Sequence, residues 1–264
     1  AFLQRPQEFH HITYPFMKNV FDIVIQHSKD VKNGIIDPSK FPDFSSTIPE
    51  FDSKFDEIWS TYNDESQNKT KRVFCKDNTQ FFLMAASGTS LLSDPRLLEM
   101  THTFLIRNPE KSVKSLYKAN EFIFKKASTS EDNEFAGLDE FRKDLVGLKE
   151  SKQLFDYLKE SNKEPIVIVA DDLITNPEKV MKKYCEMIGE EFKEEMIHWE
   201  SKNVNEWDTK NKHKEMAYNA EHSTGFNKFT NKIEIEIEYP QIVYDAIDEN
   251  KPEKINSRQS RIDN

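Results

Sequence analysis

Residues His102 to Tyr117 read HTFLIRNPEKSVKSLY, and this stretch decides the fold class. His102 to Arg107 is apolar and rich in strand formers, which predicts a buried strand. Asn108-Pro109 ends it. A proline suits the first turn of a helix, where its missing N–H would have had no partner anyway. Val113, Leu116, Tyr117 and Phe122 come next at helical spacing. Further along, PIVIVA, Pro165 to Ala170, is apolar at every position after the proline. That pattern predicts a second strand, covered on both faces. Pro177 opens another helix, with Val180, Met181, Tyr184, Cys185 and Ile188 on one face and Gly189 at its end. Strands that alternate with helices predict an α/β fold with a doubly wound, mostly parallel sheet.

The flanking chain supplies further elements. FHHIT, Phe9 to Thr13, reads as a short strand, and a helix is expected from Pro15 through Phe21 and Ile25. Lys29 to Thr47 is rich in Pro, Asp, Ser and Lys and reads as a surface loop. Phe51, Phe55, Ile58, Trp59 and Tyr62 recur at helical spacing. RVFCK, Arg72 to Lys76, reads as a strand, and Thr79 to Ala86 as a helix. Ala127 to Glu134 reads as a polar loop, and Phe141 to Leu158 as a helix. The Ile/Glu alternation from Ile233 to Glu238 predicts a half-exposed or edge strand.

Composition narrows the functional classes. The chain has 264 residues, enough for a full core without staples, and a formal net charge of −10. That charge argues against nucleic acid or an anionic membrane as partner, since both call for a broad basic surface. A small anionic ligand needs only a local pocket of Arg, Lys and backbone N–H groups. No apolar run approaches the roughly 18 residues of a membrane span. Two cysteines, Cys75 and Cys185, sit among apolar residues, which predicts buried free thiols in a reducing compartment. The seven histidines show no metal-ligand spacing, so no metal site is expected.

Four constellations carry possible chemistry. In open α/β sheets ligands bind beyond the carboxyl ends of the strands, where Arg107 stands. A guanidinium grips a phosphate through two N–H bonds, and the helix N-terminus just past it adds positive potential. Arg107 serves equally well in a plain pair with a nearby acid. Ser115 lies eight residues on, about two turns into the helix. VFCKDNTQFF, Val73 to Phe82, offers Lys76 and Asp77, the latter either as helix cap or as proton acceptor. Asp171 and Asp172 stand just after the PIVIVA strand and read as turn and capping residues. Ser223-Thr224-Gly225 suits phosphate contact or an ordinary turn.

FLIRNPEKSVKSLY resembles the 3′-phosphoadenosine motif of the P-loop sulfotransferases. In that family the strand-end Arg and the Ser eight residues later hold the 3′-phosphate of 3′-phosphoadenosine 5′-phosphosulfate (PAPS); Arg107 and Ser115 match them. GLKESKQLFDYL from Gly147 and the run from Pro165 to Phe192 are similar to a less-studied microbial branch, as is the STGF of Ser223 to Phe226. Lys76 matches the family's active-site Lys. The family's neighbouring His is absent, with Asn78 and Gln80 in that region, which leaves Asp77 as the titratable candidate. Tyr14 stands where the related branch has Glu. The family's phosphate loop has no match, and AFLQRP, Ala1 to Pro6, is similar to the end of the first helix, a turn or two past that loop. A strand and a Ser/Thr-rich loop are therefore expected upstream of Ala1.

The resemblance implies a three-layer, P-loop NTPase-like fold over residues 1–230, N-terminally incomplete, with residues 231–264 a C-terminal extension of unnamed role. It implies a cytoplasmic enzyme that moves a sulfuryl group from PAPS to a hydroxyl or amine of a small, partly apolar acceptor. Arg107, Ser115, Ser223, Thr224 and Gly225 would bind the nucleotide, with Lys76 and Asp77 catalytic. Two other readings stand beside it: an ATP-using phosphotransferase of the same superfamily, and a non-catalytic nucleotide-binding protein.

Overall fold

The computed structural model describes residues 9–13, 26, 30, 33–35, 53, 56–60, 72–86, 94–127, 146–201, 223–226 and 238–252. They fall in two compact units. The smaller takes in Ala1–Phe9, Thr101–Arg107 and Pro165–Ile237; the larger takes in His10–Met100, Asn108–Glu164 and Glu238–Asn264. The helix expected from Pro15, residues 233–237 of the expected edge strand and most of the loops from Lys29 and Ala127 lie outside the described residues.

The smaller unit is built on β3 (Thr103–Ile106) and β4 (Ile166–Val169), which pair in parallel as the alternating pattern predicts. Thr103 stands opposite Ile166 and Ile106 opposite Val169, and the Ile166 N–H extends the ladder to the His102 carbonyl at 2.9 Å. β4 runs directly into α5 (Ala170–Thr175), and α6 (Pro177–Ile188) packs back on β4. Pro177 starts α6 and Gly189 ends it in the left-handed conformation that glycine adopts without strain. Met181, Tyr184 and Cys185 are the buried face of α6, and the Tyr184 hydroxyl lies 3.2 Å from the Thr103 hydroxyl on β3. Cys185 Sγ meets Met196 Sδ at 3.4 Å.

Burial of the ladder differs from the expectation. Phe104 and Ile166 are buried, but Leu105 is 62% exposed and Val167 44%. An apolar strand pattern reports that the faces can be covered; the cover itself depends on neighbouring elements, and among the described strands β3 and β4 pair only with each other.

In the larger unit β1 (Phe9–Thr13) pairs with β2 (Arg72–Lys76). α1 (Thr79–Ala86) packs on α4 (Leu148–Glu160), and α3 (Pro109–Ala127) packs on α7 (Gln241–Glu249). Of the helix expected from Phe141 to Leu158, residues 141–145 lie outside the described residues, and the described helix starts at Leu148. Gly147, just before it, has φ +74°, and a Cβ there would collide with the buried Gln80 Oε1. α2 (Pro95–Glu99) is capped by Asp94, whose carboxylate also receives the Arg96 guanidinium; Arg96 reaches on to Asp56, in the helical stretch 56–60 that buries Ile58. Cys75, expected to be buried, is exposed on β2. Cys185 is buried as expected.

Candidate functional site

β3 delivers Arg107 at its carboxyl end, exposed, one residue past the Ile106–Val169 pair. Among the described residues no carboxylate pairs with it. The side chain therefore presents a whole planar fork of donors at the end of a parallel strand, the geometry that suits a phosphate. The neighbouring strand feeds the first turn of α5, where Asp171 and Asp172 sit. They are not the caps expected from the sequence; they are helical residues placed where carboxylates favour the helix dipole.

Asn108 begins α3 in the larger unit. Its side-chain oxygen accepts the Lys111 N–H at 3.3 Å and its carbonyl the Ser112 N–H at 2.9 Å, so Asn108 is the N-cap. The Asn-Pro dipeptide carries that signal in both its residues, the asparagine as cap and the proline as first helical residue. Ser115 is exposed in the second turn of α3. Arg107 and Ser115 belong to different units, and each is placed by its own.

Lys76 closes β2, half-buried, and Asp77 stands next to it. The Asp77 carboxylate accepts the Asn78 N–H at 2.7 Å, and the Asn78 carbonyl accepts the Phe82 N–H at 3.1 Å, the first bond of α1. Asn78 thus occupies the cap position, and Asp77 braces the turn one residue earlier. Strand end, turn and helix hold Lys76 and Asp77 side by side on backbone that is itself hydrogen-bonded.

Ser223, Thr224 and Gly225 lie in the smaller unit. Gly225 forms an antiparallel bridge with His198, the Trp199 N–H donates to the Thr224 carbonyl at 3.2 Å, and the Phe226 N–H donates to the Ile197 carbonyl at 3.3 Å. Trp199 donates its indole N–H to the Ser223 hydroxyl at 3.1 Å and stands edge-on to Phe226, 5.5 Å between centroids. Glycine is required at 225: φ is +148°, and a Cβ would lie 2.6 Å from the Ile197 carbonyl oxygen. Nothing in the sequence marks Trp199 as the anchor, because the pair is 24 residues apart. Among the described residues no three His, Cys, Asp or Glu side chains gather as a metal ion would need, and no helix is long and apolar enough to cross a membrane.

No family model matches the chain. Two curated proteins are similar to part of it, the sulfotransferases ppzF of Metarhizium rileyi (strain RCEF 4871) and Metarhizium majus (strain ARSEF 297). Each is 30% identical over 122 residues, covering 42% of this chain and 34% of the relative. The chain thus matches about a third of the length of these relatives. Among solved structures, the sulfotransferase domain from the curacin biosynthetic pathway has a TM-score of 0.40 at 14% identity, over 96% of this chain and 97% of that one. The sulfotransferase domain from the Synechococcus PCC 7002 olefin synthase has 0.38 at 11%, over 91% and 92%. Both are likenesses too loose to carry an inference; the partial sequence match is what links this α/β chain to sulfotransferases.

Proposed function

We propose that this chain is the sulfotransferase its partial relatives are named for, a cytosolic enzyme of three-layer P-loop architecture. It would move a sulfuryl group from PAPS to a hydroxyl or amine of a small, partly apolar acceptor. One observation carries the reading: Arg107 stands exposed at the carboxyl end of a parallel strand with no carboxylate paired to it among the described residues. A dianionic phosphate supplies the acceptors that such a guanidinium lacks.

In this reading the donor supplies an activated sulfuryl group, and the chain binds, steadies and deprotonates. Arg107 and Ser115 hold the 3′-phosphate. Ser223, Thr224 and Gly225 offer hydroxyl and backbone contacts to the nucleotide. Lys76 steadies the negative charge that gathers on the group in flight. Asp77 accepts the acceptor's proton as the new oxygen–sulfur or nitrogen–sulfur bond forms and the bond to the 5′-phosphate breaks. Binding without turnover is the second reading, favoured by Asn78 and Gln80 in the region of the family His and by Tyr14 in place of Glu.

Thermal melts test the site directly. 3′-Phosphoadenosine 5′-phosphate should raise the melting temperature well above the effect of adenosine 5′-monophosphate; equal stabilisation by both sinks the reading. Arg107→Ala should weaken the 3′-phosphorylated nucleotide by about 2–4 kcal/mol, roughly 30- to 1,000-fold. Turnover of labelled PAPS with phenols, sterols and amines separates the enzyme from the binding protein. In an active enzyme, Asp77→Asn should cut turnover about a hundredfold while nucleotide affinity holds. Unchanged turnover would leave Asp77 as a brace for its turn alone.

A further inference from the structure

The C-terminal segment carries no role in the function proposed above, yet it engages the helix that bears Ser115. α7 and the residues before it pack on α3 in a cluster of Val113, Tyr239, Val243 and Ala246, of which Val113, Val243 and Ala246 are 0% exposed. Leu116 and Tyr117 pack against the same cluster. The Tyr239 ring lies edge-on to Tyr117, 5.8 Å between centroids, and the Lys114 and Lys118 ammonium groups stand 5.3 and 5.9 Å from its centre. Glu110 pairs with Lys114 one turn back and balances one of the two charges.

Around Ser115 the outcome is specific. Val113, Lys114, Leu116, Tyr117 and Lys118 are all held by this segment. Ser115 sits about 200° around the helix from Val113, so the residue buried deepest in the clamp faces nearly away from it. Ser115 is left exposed. A helix gripped on one face and both flanks cannot roll, and the grip sets the direction of its outward side chains.

We propose that the segment Tyr239–Glu249 is a clamp that sets the rotation of α3 and thereby aims the Ser115 hydroxyl, with Tyr239 its positioning residue. The part concerning the 3′-phosphate rests on the function proposed above; the clamp itself does not. Tyr239 acts through α3 and touches no nucleotide.

The experiment pairs Tyr239→Leu, which keeps the apolar bulk and loses the ring, with Tyr239→Phe, which keeps the ring. Amide hydrogen exchange over residues 109–118 reads the clamp without ligand. Tyr239→Leu should speed it about tenfold or more, and Tyr239→Phe should leave it at the wild-type rate; unchanged exchange in Tyr239→Leu overturns the clamp. Titration with 3′-phosphoadenosine 5′-phosphate and adenosine 5′-monophosphate reads the aim. Tyr239→Leu should lose about tenfold for the first and nothing for the second, with Tyr239→Phe restoring the difference. Equal loss for both ligands, or none for either, overturns the positioning role. A wild-type protein that does not distinguish the two ligands sinks the 3′-phosphate reading, while faster exchange in Tyr239→Leu still upholds the clamp. Where Tyr239→Leu fails to fold, Ile247→Ala, at the partly buried edge of the same cluster, decides: a smaller change in the same direction supports the proposal, and no change overturns it.

Discussion

The α3–α7 contact and the β3–β4 ladder are built from equally apolar residues, and they end in opposite states. Val113, Val243 and Ala246 lose all their exposure between two helices, whereas Leu105 and Val167 keep about half of theirs on a parallel pair. An amphipathic helix has one stripe to bury, and one partner helix suffices. A parallel strand has two faces and two edges, and among the described elements one partner strand and the two helices that follow β4 leave surface over. Apolar sequence thus gives a demand for cover, and topology determines whether it is met.

An acidic probe placed in each region breaks or confirms the contrast with the largest effect. Val243→Asp puts a carboxylate where no water reaches, and should lower stability by at least about 3 kcal/mol or abolish the cooperative melt. Val167→Asp on the open strand should cost about 1 kcal/mol or less. Chemical denaturation checks both, and a large loss at Val167 would mean that the ladder is covered in solution.

The same logic sharpens at two glycines of like conformation. Gly147 and Gly189 have φ near +70°, but only at Gly147 would a Cβ strike a neighbour, the buried Gln80 amide. Gly189→Ala should cost about 1 kcal/mol for the left-handed backbone alone, and Gly147→Ala about 2 kcal/mol or more once Gln80 must move. Equal costs would show that Gln80 yields freely.

The smallest effect is electrostatic and tests whether a clamp of charges resembles one of methyl groups. The hydrogen bond from Arg96 holds the Asp94 carboxyl below its ordinary value. A carboxyl depressed in the folded state stabilises above the unfolded pKa and loses that contribution as pH falls through the folded one. Wild type should exceed Asp94→Asn by about 1 kcal/mol at pH 7, and the gap should close below about pH 4. A gap that is flat with pH would assign the difference to capping geometry instead of charge.

Much of the fold is legible in the sequence because its signals are local. Phe9–Thr13, Arg72–Lys76 and the strands within HTFLIR and PIVIVA stand where their apolar runs place them, and Pro109, Pro177 and Gly189 begin and end helices through their own backbone chemistry. Gly147 is hidden inside a stretch of good helix formers from Phe141 to Leu158, where a single glycine is a weak signal until a packed neighbour such as Gln80 gives it a reason. Cys75 and Val167 depart from expectation for the same cause: residue type reports what a side chain tolerates, and neighbours far along the chain determine what it receives. Of the candidate site, the strand-end position of Arg107 and the helical position of Ser115 are readable. Tyr239, more than a hundred residues from the helix it grips, and Trp199 under Ser223 are not.

The Trp199 contact also gives the molecule an optical property. Of its three tryptophans, Trp199 has its indole N–H bonded to Ser223 and its ring set edge-on to Phe226. Indole emission shifts to the red when that N–H exchanges a protein partner for relaxing water. With Trp59 and Trp207 changed to Phe, the remaining fluorophore would report the seating of residues 223–226 as a wavelength, in real time and without a label.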